Sequence, residues 1–241
     1  MALNKPTFKV NVAASKKSTE RKTLFLDIKP DTSVRLRILP PVTEDGMIFA
    51  KAVNHFKLKN EEGFGLALAC LDEHGDENTG TSCYLCNLVK MLRNGDKADK
   101  KIADDLRASP RWYAQAMVYD KAEGTYFGPK LVGLSKTTAE AINDILVAQE
   151  ESGDDYFCDP ENGQDIVITR RGSGLNTKYS VMPTGEKMPL SDVASNWEET
   201  IIRDVYAALE LKLEDPDGQK RAVYRTFEDE LDWEKIQDQI G

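Results

Sequence analysis

Cys83-Tyr84-Leu85-Cys86 is the sharpest chemical motif in this chain. A Cys-x-x-Cys turn brings two thiolates to one side, where they can occupy adjacent vertices of a tetrahedron. Cys70 lies upstream, with twelve residues between it and Cys83, and would supply a third. The fourth vertex falls to a histidine, because Cys158 stands far away between groups of strands. His55 and His74 are the two histidines of the chain. His74, with three residues between it and Cys70, would give a compact local site. His55, at the end of an expected strand, would tie the cysteine loop back to a sheet. Spacing alone does not choose between them. Either completes a Cys3His sphere, the donor set of a closed structural zinc site. A redox pair would need a thioredoxin-like βαβ setting, which the flanking pattern lacks. A disulfide framework does not suit a reducing compartment. Cys158 reads as a thiol packed like a small hydrophobe.

Catalytic apparatus is not expected. A catalytic zinc needs an open position and a nearby general base. The nucleobase-deaminase pattern, His-x-Glu followed by Pro-Cys-x-x-Cys, fails at both ends: Lys57 stands two residues after His55 and Ser82 precedes Cys83. No His-Glu-x-x-His, no Gly-Lys dipeptide of a P-loop and no Gly-x-Ser-x-Gly elbow occurs. A zinc hydrolase or nuclease is accordingly the least favoured class.

Cations and rings share the same expected strands: Arg35 and Arg37; Lys51, Lys57 and Lys59; Arg111, Trp112, Tyr113 and Tyr119; Tyr126, Phe127 and Lys130; Arg170, Arg171, Lys178 and Tyr179. Single-stranded nucleic acid needs this combination, with cations along the phosphates and rings against unpaired bases. Individually a strand-borne aromatic is more often core than platform, so the weight rests on recurrence. Trp112 and Tyr113 are adjacent, and a regular strand turns only one of them to a given face.

The elements that must carry these groups follow from patterning. In SVRLRIL (33–39), Val34, Leu36 and Ile38 alternate with Arg35 and Arg37, which predicts a strand with both arginines on the solvent face. Strands are expected at 23–28, 47–58 and 111–120. Hairpins are expected from RWYAQAMVYD into TYFGPKLVGL and from DIVITRR into TKYSVMP. LCNLVKMLRN and IADDLRAS read as helices around Gly95, SKTTAEAINDILVAQEE as a helix capped by Ser135, and WEETIIRDVYAALELKL as one amphipathic helix.

The 241 residues are 40% hydrophobic and 30% charged, enough for a core without disulfide staples. The most apolar stretch, Phe64 to Leu71, is far short of the roughly 20 residues of a membrane span. MALNKPTFKV has no apolar signal core, so a cytoplasmic, membrane-free protein is expected. The formal charge of −9 conceals a division. Residues 1–37 carry nine Lys/Arg against three acids, and residues 196–241 carry six against thirteen. The layout reads as a basic flexible arm (1–22), a core (23–213) with a zinc insertion at about 55–108, and an acidic tail (214–241). Short antiparallel strands around one helix suit a mainly β fold with flanking helices, an OB-fold or five-stranded Greek-key barrel.

The ordered series VRLRILP, VNHF, Cys70, HGD, SCYLC, RWYAQAMVYD, YFGPK and GSGLN, over roughly residues 33–182, resembles the zinc-containing single-stranded DNA-binding proteins of T-even-type bacteriophages. The resemblance implies one structural Zn²⁺ held by His55, Cys70, Cys83 and Cys86, with His74 outside the set. It also implies an OB-type barrel with a zinc subdomain walling the DNA cleft. A basic arm supporting cooperative self-association on DNA is expected from it. So is an acidic tail that meets replication and recombination proteins and competes with DNA. Trp112 stands where the family has a tyrosine, while Leu175 replaces a phenylalanine. The tail carries Trp233, Ile236 and Ile240 where the family is Ser-rich. The function so implied is non-catalytic, sequence-tolerant binding of single strands in phage DNA replication, recombination and repair, in the host cytoplasm. A zinc-stabilised protein-interaction scaffold working through acidic helices is the alternative.

Overall fold

The computed structural model describes residues 24–41, 45–75 and 82–240. The basic arm 1–22 lies outside the described residues. The chain divides into two compact units: residues up to Phe49 with Ala114–Ile202, and Ala50–Tyr113 with Arg203–Gly241. Eight strands pair as a sheet, accompanied by several helices. Among the described residues no helix is long and apolar enough to cross a membrane.

In the first unit, β2 (Thr32–Ile38) runs antiparallel to both β5 (Ser109–Asp120) and β7 (Gln164–Arg171). β6 (Thr125–Leu134) lies beside β5 and takes the short β1 (Phe25–Leu26) as a parallel neighbour. β8 (Lys178–Lys187) closes a hairpin with β7. Both predicted hairpins form where the alternation places them. The helix Lys136–Ser152 joins β6 to β7. The Ser135 side chain accepts from the Thr138 amide at its start, and Gly153 ends it at φ 71°. Leu36, Arg37, Ile38 and Leu39 are all buried, so this stretch has no solvent face. Leu39 packs with Met117 of β5 and with Leu190, Val193 and Ile201.

One expected helix is broken. Residues 197–213 were expected to be continuous, but form Trp197–Thr200 and, in the other unit, Val205–Leu209. The buried Gln115 amide holds the intervening backbone, donating to Ile202 O at 3.2 Å and accepting from Ile202 N at 2.8 Å. A backbone paired to a side chain in this way cannot also close helical hydrogen bonds. Asp204 then caps the second piece by accepting from Ala207 N.

In the second unit, β3 (Ala50–Lys59) pairs with β4 (Gly65–Ala69) and with the first residues of β5. Helices Tyr84–Leu92 and Lys97–Leu106 follow, the latter started by a capping box between Asp96 and Asp99. The acidic segment 214–241, expected as a tail, instead contributes helices Pro216–Phe227 and Trp233–Ile240. Ala222, Val223, Phe227, Leu231 and Ile236 are buried in one cluster with Leu85, Leu88 and Leu106. Its charge suggested solvation, but its apolar residues fall at helical spacing and are covered.

Candidate metal centre and nucleic-acid interface

His55 reaches its position through an irregularity in β3. His55 pairs with Leu68 and Leu58 with Leu66, so three steps on β3 match two on β4. The extra residue is a bulge, with Lys57 at φ 63°. It turns His55 and Leu58 to the same face, and both are buried. Cys70 follows β4, its amide donating to Val53 O at 2.9 Å. Cys83 is the N-cap of helix Tyr84–Leu92, and its amide donates to Asp72 Oδ1 at 2.7 Å. Cys86 lies in the first turn of that helix.

The donor atoms of His55, Cys70, Cys83 and Cys86 all lie within 4.8 Å of one another. Cys70 Sγ is 3.5 Å from Cys86 Sγ, while His55 Nε2 is 3.4 Å from Cys83 Sγ and 3.7 Å from Cys86 Sγ. A tetrahedron with bonds of about 2.3 Å has edges of about 3.8 Å, so the four donors fit around one cation. His55 Nδ1–H donates to Leu106 O at 2.7 Å. A carbonyl oxygen can only accept there, so Nδ1 carries a proton and Nε2 is the nitrogen that faces the sulfurs. Burial opposes charge on His55, but hydrogen bonds with Cys70 and Cys83 push its pKa up to about 10. Hydrogen bonds from Cys70 and Cys86 hold Cys83 below the ordinary thiol range, whereas Cys70, Cys83 and burial push Cys86 above it. Three sulfurs and an imidazole competing for protons in a buried pocket form a donor set from which a metal cation would displace them.

His74 does not join the cluster. Its Nε2 accepts from Val53 N at 2.8 Å, and burial lowers its pKa, which keeps that acceptor neutral. Cys158 stands apart as a buried thiol, pushed up to about 11 by burial. A partner that sequence reasoning missed is Gln219, fully buried on helix Pro216–Phe227. Its Oε1 accepts from Leu85 N at 3.2 Å and lies 3.5 Å from Cys83 Sγ. Nothing in the local sequence marks this glutamine, because the contact spans more than a hundred residues.

The expected binding residues separate by unit. In the first, Arg37 requires a correction: it is 0% exposed and cannot reach a phosphate. Its Nε donates to Asp165 Oδ1 at 2.9 Å and its Nη1 to Met188 O at 2.8 Å. Alternation put Arg37 on a solvent face, but that face is covered. Arg35, half-buried, shares the same carboxylate through its Nε, and the Tyr126 hydroxyl donates to it as well. Burial and the bond to Asp165 push Tyr126 up to about 12. Asp165, itself wholly buried, was not singled out in the sequence. The one local hint is an acid directly preceding the aliphatic run of β7.

Arg35 also lies over the Tyr119 ring, 4.8 Å from its centroid, and Tyr119 meets Tyr126 at 5.1 Å. Phe127 is 44% exposed, with Lys130 Nζ 5.7 Å from its ring centre. Arg171 pairs with Lys178 and Arg170 with Tyr179 across the β7–β8 hairpin. Arg171 and Lys178 are exposed, whereas half-buried Arg170 donates to Ile28 O at 2.7 Å.

In the second unit, Lys51, Lys57, Lys59 and Arg111 are exposed, and Trp112 and Tyr113 are both half-buried. Lys51 meets Glu73 at 2.9 Å, and Lys57 is paired with Asp105. Lys51 stands opposite Trp112 in the β3–β5 register.

The chain matches the family model described as gp32 DNA binding protein like over residues 31–214. No curated protein matches it.

Proposed function

Because the chain belongs to the gp32-like DNA-binding family, we propose that it binds single-stranded DNA with little regard to sequence, as a surface and not as a catalyst. The observation that carries this reading is a cross-strand pairing present in each unit, a cation directly opposite a ring. Lys51 faces Trp112, and Arg170 faces Tyr179. Directly opposite residues on antiparallel strands share a face. Each pair therefore sets a flat π surface beside positive charge, matching an unpaired base and its phosphate. Duplex DNA hides its base faces and offers only the phosphates to such a surface.

Zinc is the ion we assign to His55, Cys70, Cys83 and Cys86, because three thiolates and an imidazole suit it. With four protein donors no vertex remains for a reacting water, which supports a structural role and a non-enzymatic protein. Bound zinc would tie β3 to the cysteine loops and add its binding free energy to folding. We assign an OB-type Greek-key barrel to the first unit, on the support of β2 lying antiparallel between β5 and β7. Cooperative self-association through residues 1–22 and partner contacts through the acids of 214–241 belong to the same proposal. So do service in phage DNA replication, recombination and repair, and a cytoplasmic location. These rest on the resemblance and on the charge layout.

A salt series on metal-loaded protein tests the reading, with single-stranded and duplex oligonucleotides compared at each concentration. Affinity for the single strand should exceed that for duplex and fall steeply with salt through counterion release. Equal affinity for both forms, without quenching of tryptophan fluorescence, would refute it.

A further inference from the structure

Several cations considered above already face a carboxylate: Arg35 and Arg37 share Asp165, Lys51 meets Glu73, and Lys57 meets Asp105. The helix Pro216–Phe227 differs. Among the described residues, its Lys220, Arg221 and Arg225 take part in no ion pair, and the buried Arg225 Nε has no acceptor. With Tyr224, Trp233 and Gln237 they line a concavity of about 460 Å³ between this helix and Trp233–Ile240, where Asp217 is the one acid among the lining residues. The Tyr224 and Trp233 rings stand 4.9 Å apart at 54°, and Tyr224 is 45% exposed. Both rings are held. Trp233 Nε1 donates to Glu228 O at 3.0 Å, and the Tyr224 hydroxyl donates to the Glu228 carboxylate at 2.8 Å.

We propose that this groove is a second contact for single-stranded nucleic acid, taking one base against the Tyr224 and Trp233 rings and its neighbouring phosphates on Lys220, Arg221 and Arg225. Cations without a carboxylate partner call for an anionic ligand. Fixed rings call for a flat π partner and lose little freedom on meeting one. A nucleotide strand supplies both the anion and the ring face, whereas the carboxylates of an acidic peptide supply only the anion. The inference rests on the function proposed above and adds a site outside the stretch shared with the family.

The test uses the full metal-loaded chain and a long oligothymidylate. Lys220→Glu combined with Arg221→Glu should weaken binding at low salt at least tenfold. It should also flatten the log–log salt dependence by about 1.4, the loss of two phosphates at about 0.7 each. Lys100→Glu with Lys101→Glu, an equal change of net charge on another helix, should leave the salt slope unchanged. Tyr224→Ala should weaken binding about tenfold through lost stacking. Because that ring is exposed, this variant carries the test should the double reversal disturb the fold. A wild-type chain without preference for single strands fails the proposed function itself. A wild-type chain that binds, while both variants keep its affinity and salt slope, overturns the groove alone. Poly-glutamate held more tightly than oligothymidylate, in a manner lost with the double reversal, would make an acidic peptide the occupant and overturn it too.

Discussion

Around His55 the second unit gathers donors that repel or compete for protons until a cation joins them. Around Asp165 the first unit gathers charges that already compensate one another. The metal cluster brings three thiols and an imidazole to one point, from β3, from the end of β4 and from the first turn of helix Tyr84–Leu92. The carboxylate cluster places Arg35, Arg37 and the Tyr126 hydroxyl on one buried acid, with the Glu186 carboxylate 3.6 Å from Arg35 as the second acid. The first set could take a metal ion; the second is satisfied by side chains of the chain itself. These different donor sets leave one unit open to a metal cation and give the other no soft donors with which to hold one.

Metal removal should break this comparison most visibly. Structural zinc contributes an apparent binding free energy on the order of 10 kcal/mol in small domains. Chelation, or Cys83→Ser, should abolish the cooperative melting of the second unit while the first retains its transition in calorimetry. Equal losses in both units would mean that the two clusters are not independent. The next largest effect belongs to Asp165→Ala, which strands Arg37 in the protein interior and should cost about 3–5 kcal/mol in denaturant unfolding. Metal content should not change, and a drop in it would again join the two clusters.

Gln219→Ala sharpens the comparison within the metal unit. It leaves the Leu85 amide without its acceptor and should cost about 1–3 kcal/mol. Metal affinity should also fall, by roughly tenfold, since Gln219 supports the Cys83 turn. His74→Ala should be milder still, about 1 kcal/mol for the lost Val53 bond, with metal stoichiometry intact. His55→Ala should deplete the metal, and equal depletion by both histidine variants would refute the ligand set. A pH effect tests the first unit by itself. Tyr126 is pushed up to about 12, so its contribution is full below the ordinary tyrosine value near 10. It is lost as pH rises from there through 12, because the unfolded chain releases that proton first. Tyr126→Phe should remove this alkaline limb from the stability profile.

Much of the site was legible in residue types. Cys-x-x-Cys with Cys70 specified three soft donors, and the resemblance selected His55 over His74. What could not be read locally was the bulge at Lys57, which aims His55, and the glutamine that arrives from Pro216–Phe227. The strand at 33–39 shows the same division. Its alternation correctly predicted a strand with Leu36 and Ile38 buried. It did not reveal that the opposite face is also covered, which turns Arg37 from a surface cation into an interior one. The helix expected across 197–213 failed for a related reason, since Gln115 pairs with the Ile202 backbone from another strand. The segment 214–241 was judged by its charge, whereas the placement of Val223, Phe227 and Ile236 decides that it packs.

Donor chemistry, strand alternation and helix caps belong to the sequence by itself, because each depends on residue type or on neighbours a few positions away. That both faces of β2 are covered at Leu36–Ile38, which histidine points at the sulfurs, and which glutamine braces them depended on the folded chain. Those are contacts between segments remote in sequence, where burial and pairing are settled by what packs opposite and not by the local pattern.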